Sequence, residues 1–323
     1  MSKYKIGFLL DEKDLPDHPD KELSSSFLIL QECLLRNHEV YIFPIENLFL
    51  NNNIPKALAY QVKHNYFEFT KKPFNIDLND LDIILIRQNP PINTNYIFST
   101  HILNYVDQSK TIVINSPSGI RKCNEKLYIY NFPKLAPEGI TTSNIDLIQN
   151  FLNEHNEIIV KPLDNYAGNG IFYLKKGDKN LNSILEETTN NEKTLILAQK
   201  YLNKAKYGDK RLILLGGEPV ASIIRLPCKD DFRANMCKGG HLEKSEITDK
   251  DREICKTISK NLLKDGLFFV GLDIIDDKLI EINVTSPGFF IRKINPMFNI
   301  RLEKKIVDYM ERLLVDCFIS LGG

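Results

Sequence analysis

The chain lacks the compositional signals of several functional classes. Its 42 basic and 42 acidic residues cancel, so the overall charge gives no reason to expect nucleic acid or an anionic membrane as a partner. The first apolar run, Ile6–Leu10, is too short for the core of a signal peptide or for a membrane span. We therefore expect a soluble, cytoplasmic, globular protein that binds neither nucleic acid nor a membrane.

Several sequence motifs are also missing. The six cysteines are scattered without CxxC spacing, so we expect reduced, structural thiols rather than disulfides or zinc ligands. No GxGxxG follows the first predicted strand, and neither a Walker A motif nor a GxSxG motif occurs. A dinucleotide-binding Rossmann domain, a P-loop enzyme and a serine hydrolase are therefore not supported.

The order of the predicted elements changes near residue 115. Before that point, apolar runs alternate with a helical pattern that begins at Ser24–Ser26, which predicts a parallel sheet packed between helices. These runs are Tyr4–Leu10, Val40–Phe43, Leu81–Ile86 and Thr111–Ile114. A turn-rich cluster, Asn115–Gly119, marks a boundary, and strand pairs joined by polar loops follow it. A chain of 323 residues suggests two domains, or three.

The stretch 271–287 is the most informative part of the chain. Two apolar runs flank the polar turn Asp276–Lys278 and predict a β-hairpin. Asp273, Glu281 and Asn283 interrupt these runs, and a three-residue turn places Asp273 opposite Glu281, so that all three share one face. Two carboxylates and an amide oxygen suit Mg²⁺. A two-residue turn without a bulge would instead place Asp273 on the opposite face from Glu281. The alternative interpretation is a half-exposed hairpin whose polar face contacts water.

A second predicted hairpin carries arginines. With a three-residue turn at Gly216–Glu218, Asp209 lies opposite Arg225 and Arg211 lies diagonally adjacent. Two guanidinium groups on one face, near Arg233 in the following loop, could clamp a phosphoryl group or a carboxylate. A surface ladder of ion pairs is the alternative.

Two lysines and a short loop suggest a phosphate site. Lys161 ends an apolar strand, and a buried lysine is rare unless it has an anionic partner. In the loop that follows, Gly168 and Gly170 could let backbone amides approach phosphates. Lys126 gains interest only as a partner of Lys161. Taken singly, Lys126 is explained as a solvated lysine and the loop as an ordinary hairpin loop.

Arg87 lies at the C-terminal end of a predicted parallel strand, which is the edge where open α/β sheets bind ligands. It is followed closely by Pro90-Pro91. The alternative is that the prolines simply end the strand and Arg87 is solvated.

Taken together, these features resemble the prokaryotic glutathione synthetases, which are ATP-grasp ligases. The resemblance runs in order from about residue 4 to residue 314. Besides Arg87 with Pro90-Pro91, the motifs that carry it are Cys123-Asn-Glu-Lys-Leu127, Lys161-Pro-Leu-Asp164, Gly208-Asp-Lys-Arg211, Gly217-Glu-Pro-Val220, Phe269-Val-Gly-Leu-Asp-Ile-Ile275 and Glu281-Ile-Asn-Val-Thr-Ser-Pro287.

The resemblance implies an α/β fold in which an N-terminal parallel-sheet domain precedes ATP-grasp α+β domains. The implied divisions are 1–120 for the substrate domain, 121–200 for a central lid domain and 201–323 for the metal-binding and catalytic domain. It also implies ATP-dependent ligation of γ-glutamylcysteine with glycine through an acyl phosphate, with ATP as co-substrate, Mg²⁺ or Mn²⁺ as cofactor and a homo-oligomeric assembly.

The resemblance further implies roles for individual residues. Lys126 and Lys161 would hold ATP phosphates, Gly168 and Gly170 would shape the phosphate loop, and Asp209 would lie near ribose or a phosphate. The segment Gln199–Leu202, with Tyr201, would lie against adenine. Arg211, Arg225 and Arg233 would stabilise the transferring phosphoryl group, while Arg87 and Ser286 would hold the peptide. Asp273, Glu281 and Asn283 would bind the metal, and a flexible lid, residues 226–241, would exclude water.

Two other functions share part of this pattern. Another ATP-grasp ligase, such as a peptide or D-alanine ligase, would use the same ATP machinery. A nucleotide-binding regulatory protein would keep the fold without turnover, although retention of Glu281, Asn283, Arg211 and Arg225 argues against it.

Overall fold

A computed structural model describes residues 3–11, 24–63, 69–166, 168–227, 241–288 and 290–321, with the backbone alone for 317–321. Most of the predicted lid, including Arg233, lies outside these described residues. Within the described ranges, no helix combines the length and apolar character needed to cross a bilayer.

The first sheet has a parallel centre and an antiparallel extension. Strands β2, β1, β6 and β7 lie side by side and run parallel, which confirms the predicted sheet. Strand β4 pairs antiparallel with β2 and carries β3 and β5. The strands are β1 (Lys5–Leu10), β2 (Glu39–Pro44), β3 (Leu48–Asn51), β4 (Ile54–Val62), β5 (Phe74–Asp77), β6 (Ile83–Ile86) and β7 (Ile112–Ile114).

Three helices accompany this sheet: α1 (Ser25–Leu35), α2 (Thr94–Leu103) and α3 (Pro117–Lys122). Helix α1 begins where the sequence predicts, because the Ser24 side chain accepts a hydrogen bond from the backbone N–H of Ser26. The helix carries the chain from β1 to the parallel strand β2, as a βαβ unit requires.

The second sheet is antiparallel and has the order β10-β9-β11-β8. Its strands are β8 (Gly139–Thr142), β9 (Glu157–Pro162), β10 (Phe172–Lys175) and β11 (Ile196–Lys200). Helices α4 (Ile145–His155) and α5 (Leu181–Thr188) accompany it. Buried side chains including Ile148, Leu152, Ile158, Leu174 and Leu185 give this unit a core of its own. Lys161 lies near the C-terminal end of β9 and is not part of this core.

The third sheet is antiparallel in the order β14-β13-β12-β15-β16. Its strands are β12 (Asp209–Leu215), β13 (Glu218–Leu226), β14 (His241–Lys244), β15 (Phe269–Ile275) and β16 (Lys278–Asn283). Helix α6 (Asp249–Lys264) begins after Thr248, which forms a reciprocal capping box with Asp251.

The C-terminal helices return to the first sheet. Helices α7 (Ile291–Phe298) and α8 (Leu302–Leu321) follow β16, and α8 packs against α1. Arg36 pairs with Glu311 at 2.9 Å across this contact. One buried cluster accordingly joins side chains of β1, α1 and β12 to those of α7 and α8, so the first and third sheets share a core.

In two hairpins of the third sheet, a two-residue turn and a β-bulge together set the register. Both turns have two residues with positive φ, at 59° and 82° for Gly216-Gly217 and at 51° and 57° for Asp276-Asp277. Each hairpin then has a β-bulge, between Ile213 and Leu214 in one and between Asp273 and Ile274 in the other. The predicted three-residue turns are therefore wrong, but the extra bulge residue restores the predicted pairings.

Candidate active site

A cavity of about 820 Å³ lies between the three sheets, and most of the predicted site residues line it. They are Lys126, Lys161, Gly168, Gln199, Tyr201, Leu202, Asp209, Arg211, Arg225, Asp273, Glu281, Asn283 and Ser286. Arg87 and Gly170 do not line it, and Arg233 falls outside the described residues. Side chains that are up to 160 positions apart in the chain thus meet in one chamber.

Asp273 is the centre of a buried ion-pair network. Arg211 donates from Nε to Oδ1 and from Nη2 to Oδ2, the second at 2.9 Å. Arg225 contacts Oδ1 of Asp273 at 2.9 Å and forms a bidentate pair with Asp209 at 2.5 and 2.7 Å. Because the side chains are only 7% exposed for Asp273 and at most 20% for the others, the network is not a surface ladder.

The network shifts the acidity of its members in opposite directions. Burial alone would raise the pKa of Asp273, but Arg211 and Arg225 outweigh burial and hold that pKa well below its usual range. For Asp209, burial outweighs the attraction of Arg225 and raises the pKa. Burial disfavours the Arg225 cation, yet Asp209 and Asp273 raise its pKa above the ordinary value. Two guanidinium groups held by carboxylates therefore line the cavity.

Asp273, Glu281 and Asn283 form the predicted set of oxygen donors. Asp273 lies directly opposite Glu281, and Asn283 lies opposite Gly271 two residues further along β16. Among the described residues no cluster of three or more His, Cys, Asp and Glu side chains is arranged for a metal, so this set depends on an amide. Two carboxylates and an amide still fit Mg²⁺, which commonly takes further ligands from water and substrate phosphates.

The three candidate metal ligands differ in how many contacts their side-chain oxygens already make. Each carboxylate oxygen of Asp273 already has two donors. Oδ1 contacts Arg211 and Arg225, and Oδ2 accepts from Arg211 and from Nδ2 of Asn283, the latter at 3.2 Å. The carboxylate of Glu281 contacts Nζ of Lys161 at 3.6 Å. Glu281 and Asn283 can thus offer oxygen atoms directly, whereas Asp273 would first give up one of its donors.

Lys126 and Lys161 lie on one wall of the cavity, as a phosphate site requires. Lys161 is 2% exposed and Lys126 is 6% exposed. Burial lowers the pKa of Lys161, the charge of Lys126 adds to the lowering, and Glu281 opposes it. Nζ of Lys126 donates to the backbone oxygen of Asn165 at 2.6 Å, which ties the glycine-containing loop to this wall. Lys126 is therefore not a solvated surface lysine.

One end of the cavity has a largely apolar lining. Gln199, at the end of β11, is buried and its Nε2 lies 3.3 Å from the hydroxyl of Tyr130. Tyr201 packs against Tyr173 with ring centroids 4.5 Å apart. Four isoleucines that no sequence motif singles out complete this end of the lining. They are Ile159, Ile171, Ile275 and Ile280.

The edge of the first sheet closes the opposite end. Gln88, Asn89, Pro90 and Pro91 line the cavity here, and the Pro90-Pro91 peptide bond is cis. Arg87 itself is 2% exposed and donates from Nη1 to the backbone oxygen of Pro287 at 2.6 Å. It is thus placed behind the lining, where it fixes the segment that carries Ser286. Arg87 is buried rather than solvated.

Two residues of the lining, Glu125 and Thr285, are also missed by the sequence analysis. Both lie inside motifs that carry the resemblance, Cys123–Leu127 and Glu281–Pro287. Their contact joins positions 160 residues apart. The motifs therefore contain the signal, but only the folded chain shows which of their residues face the cavity.

Two family models and several curated relatives match most of the chain. The N-terminal domain model of prokaryotic glutathione synthetase matches residues 5–121, and its ATP-grasp domain model matches residues 125–299. A glutathione synthetase from Nostoc sp. is 38% identical, with 96% of this chain and 98% of that protein covered. The glutathione synthetase of Buchnera aphidicola subsp. Schizaphis graminum is 39% identical, with 95% and 96% covered.

Solved structures share the fold at much lower identity. D-cycloserine synthetase DcsG matches with a TM-score of 0.65 at 11% identity, covering 97% of this chain and 99% of that one. D-alanyl-alanine synthetase A from Vibrio cholerae matches with a TM-score of 0.62 at 12% identity, covering 98% and 100%. These structures show the shared fold, whereas the matched family models and relatives establish that the chain belongs to the prokaryotic glutathione synthetase family of ATP-grasp ligases, which make glutathione at the expense of ATP.

Proposed function

We propose that the cavity joins γ-glutamylcysteine to glycine through an acyl phosphate. An oxygen of the cysteinyl carboxylate attacks the γ-phosphorus of ATP, and the bond from that phosphorus to ADP breaks. The amine of glycine then attacks the acyl carbon, phosphate leaves with the bridging oxygen, and the nitrogen gives up its proton. The observation that carries this proposal is the placement of the buried Arg211 and the largely buried Arg225 in one cavity with Glu281, Asn283 and Lys161.

Arg211 and Arg225 stabilise the phosphoryl group during transfer. Phosphoryl transfer depends mainly on positioning and on neutralising negative charge. Both arginines are held by Asp273, and Arg225 also by Asp209, so their guanidinium groups are oriented before a substrate binds. A phosphoryl oxygen would compete with these carboxylates for the same N–H donors. The role of Asp209 is to orient Arg225 near the nucleotide.

Glu281, Asn283 and Asp273 would hold Mg²⁺, with Mn²⁺ as the alternative ion. When bound, the ion would supply positive charge that neutralises negative charge as it develops on the phosphoryl group. Glu281 and Asn283 offer oxygens without rearrangement, whereas Asp273 joins the set only when a donor from Arg211, Arg225 or Asn283 moves away.

The remaining lining positions the nucleotide. Lys126 and Lys161 bind phosphate oxygens, and the loop with Gly168 and Gly170 brings backbone amides toward them. Gly170 keeps a positive φ of 70° and packs on Pro162, so it shapes the loop from behind. The adenine lies at the apolar end, along the segment Gln199–Leu202.

The peptide lies at the opposite end, along Ser286 and the edge of the first sheet. Ser286 has a positive φ of 43°, and Arg87 fixes the next residue through the Pro287 carbonyl. Arg87 on this reading supports the peptide site rather than touching the peptide. Arg233 and the lid 226–241 are proposed to close over the acyl phosphate and exclude water.

The wider setting of the reaction is also a proposal. A thiol substrate and ATP place the enzyme in a reducing, ATP-rich compartment, the cytoplasm. The divisions 1–120, 121–200 and 201–323 are supported by the fact that each contains one of the three sheets. The family resemblance suggests a homo-oligomer, which light scattering of the purified protein would test.

Oxygen labelling tests the acyl phosphate. With ¹⁸O in the cysteinyl carboxylate of γ-glutamylcysteine, one labelled oxygen must appear in the phosphate released. Phosphate that carries no label while glutathione forms would exclude an acyl phosphate, without affecting the identity of the substrates.

A further inference from the structure

Glu125 uses only one of its two carboxylate oxygens to hold the protein together. Oε1 accepts three hydrogen bonds, from the backbone N–H groups of Val284 and Thr285 at 2.8 and 3.0 Å and from the Thr285 hydroxyl at 2.8 Å. Through these bonds Glu125 fixes the chain directly after Asn283. The side chain is thereby held rigidly on the cavity wall.

The second oxygen, Oε2, has no such partner. Within the described ranges, no hydrogen bond or ion pair joins it to another residue, although Glu125 lines the cavity. Burial raises the pKa of Glu125 and the charge of Glu281 adds to the rise, while the hydrogen bonds from residues 284 and 285 oppose it. An anionic oxygen in such surroundings is costly unless a cation or a strong donor meets it.

The position of Glu125 indicates which cation this is. Residue 125 precedes Lys126, and the partners of its Oε1 directly follow Asn283, so the free oxygen lies beside the proposed phosphate and metal residues. The α-ammonium group of γ-glutamylcysteine is at the far end of the peptide from its reacting carboxylate. The ammonium group that must approach the acyl phosphate is therefore that of glycine, the second substrate.

We propose that Oε2 of Glu125 binds the ammonium group of glycine and orients its nitrogen toward the acyl carbon. The ammonium group gives one proton to water, and the neutral amine then attacks the acyl carbon as phosphate leaves with the bridging oxygen. This inference rests on the proposed function, because it requires an amine nucleophile and an acyl phosphate. It adds a binding residue for the amine substrate, and the three bonds to Oε1 explain how that residue is held in place.

The test variant is Glu125→Gln. Its side-chain carbonyl oxygen can still accept from Val284 and Thr285, but an amide NH₂ replaces the anionic oxygen. We expect KM for glycine to rise about tenfold or more, because a charge-assisted hydrogen bond is lost. KM for ATP and γ-glutamylcysteine and the Mg²⁺ dependence should stay within about twofold, since each of these contacts lies elsewhere.

Hydroxylamine separates binding of the amine from every earlier step. It is a neutral nucleophile at a pH where glycine is an ammonium ion, and it intercepts acyl phosphates as hydroxamates. Glu125→Gln should form hydroxamate at the wild-type rate while glutathione formation is impaired. An equal loss with both nucleophiles would assign Glu125 to an earlier step and overturn the inference.

Thr285→Val is the matched control. It removes one donor to Oε1 and leaves Oε2 in place, so KM for glycine should change much less than in Glu125→Gln. An unchanged KM for glycine in Glu125→Gln, a rise in KM for the peptide instead, or a raised Mg²⁺ requirement would each refute the proposal. The last two results would assign Oε2 to the peptide ammonium or to the metal.

A second variant tests the same contact if Glu125→Gln does not fold. Should Glu125→Gln fail to fold, Glu125→Asp keeps the charge but retracts it by one methylene group. That variant must raise KM for glycine and spare hydroxamate formation, or the inference is wrong. Failure of the proposed function itself would be visible separately, as absence of turnover in the wild-type protein with all substrates present.

Discussion

Asp273 and Glu281 lie directly opposite each other on β15 and β16 because Ile280 is an extra, unpaired residue. The two-residue turn pairs Ile275 with Lys278 and Ile274 with Leu279, and without the bulge Asp273 would face Ile280. Glu281 would then point to the opposite face of the sheet, because side chains alternate along a strand. The bulge thus places both carboxylates in the cavity, and it also brings Ile280 into the lining.

The first prediction concerns the metal role of Glu281. Glu281→Gln should lose most activity at low Mg²⁺ and recover part of it at high Mg²⁺, with the apparent Mg²⁺ requirement raised by at least about tenfold. Turnover measured across a Mg²⁺ titration checks this. The control is Glu253→Gln, which alters an exposed glutamate on α6 that pairs with Lys250. Wild-type turnover of Glu281→Gln at low Mg²⁺ would remove Glu281 from the metal site.

The second prediction concerns the stability contributed by Asp273. Asp273→Asn leaves Arg211 without its bidentate carboxylate and Arg225 with Asp209 alone. Removing one partner of a buried ion pair is strongly destabilising, so the free energy of unfolding should fall by about 3 kcal/mol. Urea unfolding of the variant and the wild type measures the difference. A loss close to zero would mean that solvent already reaches this network.

The third prediction concerns pH and Asp265, the residue that follows α6. Its carboxylate accepts a hydrogen bond from the Tyr128 hydroxyl at 2.5 Å and one from Nζ of Lys122 at 2.7 Å. Burial would raise the pKa of Asp265, but Lys122 and Tyr128 outweigh it and lower that pKa. Its stabilising effect is therefore complete above the unfolded-state pKa of about 4 and is lost as pH falls through the lowered, folded-state pKa.

Asp265→Asn should accordingly lower the free energy of unfolding by about 2 kcal/mol at neutral pH. The difference from the wild type should shrink as the pH falls below about 4. Urea unfolding at a series of pH values provides the measurement. Lys122→Met, which alters a partner whose side chain is 60% exposed, should have a much smaller effect. A difference that stays constant down to low pH would contradict the role of the Asp265 charge.

The fourth prediction concerns three free thiols. Cys33, Cys123 and Cys255 are buried and form no disulfide, and burial raises the pKa of each, for Cys255 to about 12. Because the thiolate is the reactive form, iodoacetamide at mildly alkaline pH should leave these positions unlabelled in the native protein and label them after denaturation. Peptide mapping by mass spectrometry distinguishes them from the other cysteines. Rapid native labelling at Cys123 would show that the segment before Lys126 opens readily.

The sequence predicts the chemistry of the hairpins better than their backbone geometry. Period-two spacing places Asp209 with Arg225 and Asp273 with Glu281, and both pairings are observed. A three-residue turn and a two-residue turn with a bulge give the same pairing, so the pattern alone cannot separate them. Nothing in Asp276-Asp277 signals the positive φ of both residues as strongly as Asn-Gly would.

Other parts of the molecule depend on contacts that local patterns do not contain. Strand β4 includes Pro55, which argues locally against a strand, yet it pairs with β2, β3 and β5. Glu125 gains its three donors from a segment about 160 positions later. The burial of Arg87 likewise follows from its contact with the Pro287 carbonyl, 200 positions away. Long-range packing therefore decides which motif residues face the cavity.

The most direct test of the central claim is ADP release by the purified protein, with each component left out in turn. ADP should form only when ATP, Mg²⁺, γ-glutamylcysteine and glycine are all present, with glutathione formed in equal amount. No ADP in the complete mixture, with the protein shown to be folded, would contradict the account. Equal turnover with D-alanine in place of both substrates would assign the cavity to a different ATP-grasp ligase.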